Sequence, residues 1–210
     1  MVGRVRVKFC GITNATDARV CVAAGADALG FIFVENTPRY IEPAMAASII
    51  AQLPPFVTPV GVFWDHKPEH VKAMAQECRL RALQFHGDEP PDALQDYWLP
   101  VIKTIKVSGP ADFDRMSGYR VSAFLVDSAL PWSEGQARAP LPWGMVRRGM
   151  AGRRIVLAGG LTPENVAEAI DTVRPFAVDV TSGVELRPGR KDHDRVSRFV
   201  AAVRATPIDM

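Results

Sequence analysis

Cysteine is scarce in this sequence: 210 residues contain three, at positions 10, 21 and 78. Three scattered thiols suggest no disulfide framework, and the C-x-x-C spacing of a zinc site is missing as well. A reducing cytoplasm is the expected setting. No apolar run approaches the roughly 20 residues that cross a bilayer. The N-terminal "MVGRVRVKFCG" lacks the long apolar segment and the small-residue cleavage site of a secretory signal, so no membrane partner is expected. Charge of one sign is not in excess either. The net charge is +2, the arginines are scattered, and no aromatic–basic patch suggests a nucleic-acid partner. His66 and His70 in "DHKPEHV" are interrupted by Pro68 with no third ligand near, so no metal is expected there. No Ser/Gly-rich linker, low-complexity segment or short repeat divides the chain, which implies a single domain over residues 1–210.

What the chain does contain is a series of eight apolar runs rich in β-branched residues: "VRVKFC", "ALGFIFV", "VTPVGVFW", "RALQFHG", "PVIKTIKV", "SAFLVDS", "RRIVLAGG" and "FAVDVTSG". Most are separated by stretches with helical spacing. "ATDARVCVAAGA" ends on Gly25, and "EPAMAASIIAQL" opens with an acid and a proline. "KPEHVKAMAQEC" lines up Val71, Met74, Ala75 and Cys78. "TPENVAEAIDTV" offers Thr162 as N-cap and Pro163 at the first helical position. "DHDRVSRFVAAVRA" carries a stripe of Val196, Phe199, Val200 and Val203. Strand alternating with helix predicts a parallel sheet with helical crossovers. Eight units in one chain favour closure into a short (β/α)8 TIM barrel, α/β in class, over an open doubly wound sheet. The broken segment "SGPADFDRMSGYR" predicts a reduced fifth helix.

Side-chain alternation then assigns faces. In the first strand Val5, Val7 and Phe9 oppose Arg6, Lys8 and Cys10. In the fourth, Leu83 and Phe85 oppose Gln84 and His86. In the sixth, Phe124 and Val126 oppose Leu125 and Asp127; in the eighth, Val178 and Val180 oppose Asp179 and Thr181. The apolar faces suit covering helices, so Cys10, Gln84, His86, Asp127 and Asp179 are expected to point inward where the strands end, the location of active sites in this fold. Lys8 and Arg6 are expected to point inward too, as counter-charges for the aspartates, since a lone buried charge is costly. Each residue has a plainer interpretation. A cysteine at a strand end is often inert core, as expected for Cys21 and Cys78 on helix stripes; the aspartates could cap turns; His86 could donate to a backbone carbonyl. Together on one face, they point to a site. A thiol near Lys8 and a water-shielded carboxyl suggest a base and an acid for proton transfer.

The turns "LAGGLTPEN" and "DVTSGVELRPGRKD" follow the seventh and eighth strands, the usual phosphate position of this fold. Gly159 and Gly160 permit close backbone approach before a helix, and Ser182 and Gly183 add a hydroxyl and a second permissive turn.

"KFCGIT", "GFIFVENTPRYIEP", "VGVFWD", "LQFHGDE", "FLVDS", "LAGGLTPENV" and "VDVTSGVELRPGRKD" together resemble the phosphoribosylanthranilate isomerases of tryptophan biosynthesis, from about residue 5 to about residue 200. The resemblance implies an Amadori rearrangement of N-(5'-phosphoribosyl)anthranilate in a (β/α)8 barrel without cofactor or metal. It implies Asp127 as general acid, Cys10 as general base and Arg39 as partner of the anthranilate carboxylate. By the same likeness Gln84, His86 and Asp179 line the site, and Gly159, Gly160, Ser182 and Gly183 hold the phosphate. One segment departs from the family pattern. A glycine-rich "GGTG", an aromatic and "DW" are usual after the sixth strand, whereas "SALPWSEGQARAPLPWG" keeps only Gly135 and Trp143. Thr181 stands where serine is common. The alternatives are a phosphosugar-converting barrel with altered substrate range and a non-catalytic phosphoribosyl-ligand-binding relative. Apolar residues such as Phe56 and Trp98 leave a monomer and a homodimer both open.

Overall fold

The computed structural model describes residues 2–128, 141–150 and 152–209. Most of the departing segment after the sixth strand, including Gly135, lies outside the described residues. Eight parallel strands close into a barrel: β1 Arg6–Phe9, β2 Ala28–Ile32, β3 Thr58–Phe63, β4 Ala82–Phe85, β5 Val101–Val107, β6 Ala123–Ser128, β7 Ile155–Leu157 and β8 Ala177–Val180. Each falls within one of the eight apolar runs. The ring is completed by β1 against β8, with Lys8 paired in register to Asp179.

Around it lie α1 Ala15–Ala24, α2 Pro43–Ile50, α3 Pro68–Glu77, α4 Trp143–Gly149, α5 Val166–Val173 and α6 His193–Arg204. Local chemistry sets their ends. Asn14 accepts a hydrogen bond from the Asp17 amide at the start of α1, and Gly25, at φ +107°, terminates it in a left-handed conformation. Prolines occupy the first turn of α2 and α3, where a missing N–H costs nothing. Asp192 caps α6 by accepting from the Asp194 and Arg195 amides. The α6 stripe of Val196, Phe199, Val200 and Val203 is wholly buried, each such side chain contributing about 1.5–3 kcal/mol.

Three connections differ from regular helices. The fifth is a 3-10 helix, Pro110–Gly118, in agreement with the broken sequence there. The fourth is only a 3-10 turn, Pro91–Leu94, in the short stretch between β4 and β5. The seventh corrects the expected helix start. Thr162 does accept from the Glu164 amide through Oγ1, at 3.2 Å, but a turn intervenes and regular helix begins at Val166.

The core has two shells, as a barrel demands. Outward-facing strand residues such as Val7, Phe85, Val126 and Val178 pack under the helices. Inward-facing Ala123, Leu125, Val156, Ala158 and Ala177 fill the barrel with small and medium side chains. Filling ends near the C-terminal rim, where polar side chains take over. Among the described residues, no helix is long and apolar enough to cross a membrane.

Candidate active site

A cavity of about 330 Å³ opens at the C-terminal end of the barrel. Cys10, Arg39, Gln84, His86, Asp127, Gly159, Gly160, Asp179, Ser182 and Gly183 all line it. Strand order arranges them. Cys10 follows β1 and Asp127 is the penultimate residue of β6, so the turns after β7 and β8, with their glycines, lie between the thiol and the carboxyl around the rim. Trp64 and His86, beyond β3 and β4, stand on the far side from those turns.

Cys10 is held through its backbone, donating to the Val180 carbonyl at 3.0 Å and accepting from Lys191 Nζ at 2.6 Å. Two residues earlier on the same face, Lys8 Nζ lies 2.8 Å from Asp179 Oδ1, both nearly inaccessible to solvent. Burial pushes the Cys10 thiol up and the Asp179 charge adds to that; Lys8 and Lys191 pull the other way without reversing it. For Lys8, burial works against the charged form, but Asp179 and Cys10 outweigh it and raise the ammonium above its ordinary value. The space these groups occupy exists because Gly30 faces them from β2. A Cβ at residue 30 would lie 2.7 Å from Cys10 Sγ and 3.0 Å from Lys8 Nζ.

Arg6, expected as a second inward counter-charge, is instead exposed at the N-terminal mouth, with its guanidinium 4.3 Å from the Phe176 ring centre. Alternation gave its face of the strand; its depth, two residues below the level where Lys8 meets Asp179, leaves it in solvent.

Asp127 Oδ1 accepts from the Ser128 amide at 2.8 Å, and Oδ2 is 4.0 Å from His86 Nε2. Gly159, at φ +83°, keeps the neighbouring turn close, since a Cβ there would come within 3.0 Å of Asp127 Oδ1. His86 also packs against Trp64, and Lys106 Nζ lies 3.8 Å from an indole ring centre of the same tryptophan. Gln84, in the cavity lining, donates weakly to Thr104 at 3.5 Å, and its buried Oε1 has no hydrogen-bond partner among the described residues.

In the glycine turns, Gly160 adopts φ +71°, and a side chain at Gly183 would overlap the Leu161 carbonyl oxygen. Glycine therefore lets the two turns close on one another, with their backbone available to an anion. On the remaining wall, Arg39 is chelated by Glu185. Nε lies 3.1 Å from each carboxylate oxygen and Nη2 lies 2.7 Å from Oε2. Burial would raise the Glu185 carboxyl, but hydrogen bonding from Arg39 and the Lys191 charge hold it below the usual carboxylate range.

Sequence reasoning gave no role to Glu185, Lys191, Trp64 or the Glu89–Lys103 pair. Lys103 Nζ donates to Glu89 Oε2 at 2.6 Å and to the Gly87 carbonyl at 2.7 Å. The other oxygen of Glu89 accepts from the Asp65 and Gly87 amides, so one buried pair pins the loops carrying Trp64 and His86. The quoted "LQFHGDE" and "VELRPGRKD" contained the carboxylates, and nothing local marked their partners. Cys21 and Cys78 are buried in the helical layer, with their thiols pushed up to about 12 and about 11 chiefly by burial, consistent with inert core.

Comparison with known proteins agrees along nearly the whole chain. The family model described as N-(5'phosphoribosyl)anthranilate (PRA) isomerase matches residues 7–202. The N-(5'-phosphoribosyl)anthranilate isomerase of Trichlorobacter lovleyi is 49% identical over 197 residues, covering 93% of this chain and 96% of its own. The crystal structure of phosphoribosyl anthranilate isomerase from Thermotoga maritima superposes with a TM-score of 0.91 at 44% identity, covering 96% of this chain and 99% of its own. A structure of phosphoribosyl anthranilate isomerase in complex with reduced 1-(o-carboxyphenylamino)-1-deoxyribulose 5-phosphate superposes with a TM-score of 0.86 at 43% identity, with coverage of 96% and 99%. The chain belongs to the N-(5'-phosphoribosyl)anthranilate isomerase family.

Proposed function

We propose that this chain catalyses the Amadori rearrangement of N-(5'-phosphoribosyl)anthranilate to 1-(2-carboxyphenylamino)-1-deoxyribulose 5-phosphate, with Asp127 as general acid and Cys10 as general base. The observation that carries the reading is a thiol and a carboxyl on one cavity, with glycine turns suited to a phosphate between them. Asp127 donates a proton to the ribose ring oxygen as the C1–O bond breaks, leaving a Schiff base at C1. The Cys10 thiolate removes the proton from C2, and the electrons of that C–H bond flow into the imine to form an enolamine. Ketonisation moves the C2 hydroxyl proton away and returns one to C1. C1 is reduced and C2 oxidised within one molecule, so the chemistry requires proton transfers and no external electron carrier.

The remaining lining residues divide the substrate between them. The turns at Gly159, Gly160, Ser182 and Gly183 take the phosphate, and Arg39 takes the anthranilate carboxylate, which suits a planar guanidinium. Gln84, His86 and Asp179 bound the ribose. Lys8 has two tasks: it neutralises Asp179 and favours the thiolate of Cys10. The same reading makes residues 1–210 one catalytic domain acting on a small-molecule phosphoribosyl ligand in the cytoplasm, as monomer or homodimer.

The test is product analysis with the purified chain and freshly generated substrate in chelator-containing buffer. Turnover to the ketose is expected. Inactivity combined with tight binding of the reduced product analogue would favour a non-catalytic binder. Failure to bind any anthranilate-bearing ligand would favour a different phosphosugar.

A further inference from the structure

Arg39 belongs to the loop after β2, yet its guanidinium is fixed by residues that follow β8. Glu185–Arg187 and Arg190–Lys191 form an antiparallel ribbon in which Glu185 and Lys191 are register partners. Glu185 Oε1 accepts from Lys191 Nζ at 3.1 Å and from the Gly189 amide at 3.3 Å, so the ribbon is fastened without any help from Arg39. Lys191, wholly buried, also donates to the Cys10 carbonyl at 2.6 Å and more distantly, at 3.4 Å, to that of Thr181. Three further contacts of 2.7–3.1 Å then bring Arg39 onto the same carboxylate. The stem of Arg39 lies along Gly11, where a Cβ would come within 2.8 Å of Arg39 Cδ.

We propose that Glu185, itself held by Lys191, is a positioning residue for Arg39; this rests on the reading of Arg39 as partner of the substrate's carboxylate. Glu185 engages the Nε–Nη2 edge of the guanidinium and so fixes the plane of the group. An arginine side chain has many rotamers, and ordering it in advance spares the ligand that entropic cost. Lys191 helps keep the buried Glu185 charged and so available to Arg39.

The test compares wild type, Glu185→Gln, Glu185→Asp and Arg39→Ala. The readouts are kcat, KM and the binding of two reduced product analogues, one with and one without the aromatic carboxylate. For Glu185→Gln the expected result is a rise of about ten-fold in KM and in the dissociation constant of the carboxylate analogue, with kcat within about three-fold of wild type. Binding of the analogue lacking the carboxylate should be unchanged. Glu185→Asp preserves the charge opposite Lys191 but retracts from Arg39. It should show the same selective weakening, and it carries the test if the glutamine variant does not fold. Equal weakening of both analogues, a fall in kcat with KM unchanged, or no effect in either variant would overturn the inference. If Arg39→Ala itself fails to discriminate between the analogues, the reading of Arg39 falls first, and the two failures remain distinguishable.

Discussion

Gly30→Ala is a one-methyl perturbation aimed at the reacting centre. The added carbon would lie 2.7 Å from Cys10 Sγ, 3.0 Å from Lys8 Nζ and 3.2 Å from Cys10 Cα, well inside contact distance for carbon and sulfur. The thiol and ammonium must retreat by roughly 1 Å, since packed carbon atoms prefer separations of about 3.5–4.0 Å. For stability, overpacking costs about 1–3 kcal/mol. The alanine recovers about 0.4–1 kcal/mol by restricting the unfolded chain, because residue 30 is not in the left-handed region. The net loss is therefore at most about 2.6 kcal/mol, a fall in Tm of no more than about 10 °C at this chain length. For catalysis, a displacement of about 1 Å at a reacting group costs on the order of 100-fold. Thermal unfolding and steady-state assay of the same preparation separate the two effects. Gly109→Ala serves as control, because a Cβ there meets nothing within 4 Å among the described residues. A Gly30→Ala protein that is folded and retains wild-type kcat/KM would refute the placement of Cys10 Sγ at the reacting carbon.

Two further outcomes follow from buried charge. Burial, reinforced by Asp179, raises the Cys10 thiol despite Lys8, so its base form grows as pH rises. Alkylation of Cys10 by iodoacetamide, which reads the thiolate directly, is therefore expected to keep quickening beyond the ordinary thiol value of about 8.5; a rate that levels off by about pH 7 would contradict this reading. Lys103→Met strands the buried Glu89 carboxylate, at a cost of about 3–5 kcal/mol. Thermal unfolding should fall by about 6–20 °C and recover in large part in the Lys103→Met, Glu89→Gln double variant; a single variant within about 2 °C of wild type would show that the pair does not pin the loops.

The barrel was legible because its strands announce themselves twice, as β-branched apolar runs and as segments whose alternate positions turn polar at the end. Cys10, Gln84, His86, Asp127 and Asp179 could be assigned to one face by parity alone, and the cavity brings them together. Depth was not legible. Arg6 shares the face of Lys8 but sits at the wrong end of the strand, over Phe176 in solvent. Partnership across the sequence was not legible either. Lys8 meets Asp179 because β1 closes the ring against β8 in one particular register, and Arg39 meets Glu185 across 146 positions. Local spacing carries no trace of such pairs.

In the proposed reaction a thiol takes the proton from C2 while a carboxyl across the cavity protonates the ring oxygen. It is tested most directly by measuring turnover and analogue affinity together in Cys10→Ser and Asp127→Asn. The expected result is loss of at least about 100-fold in kcat for each variant, with the reduced product analogue bound within a few-fold of wild type. Substantial turnover in either variant, or loss of analogue binding in step with loss of rate, would contradict it.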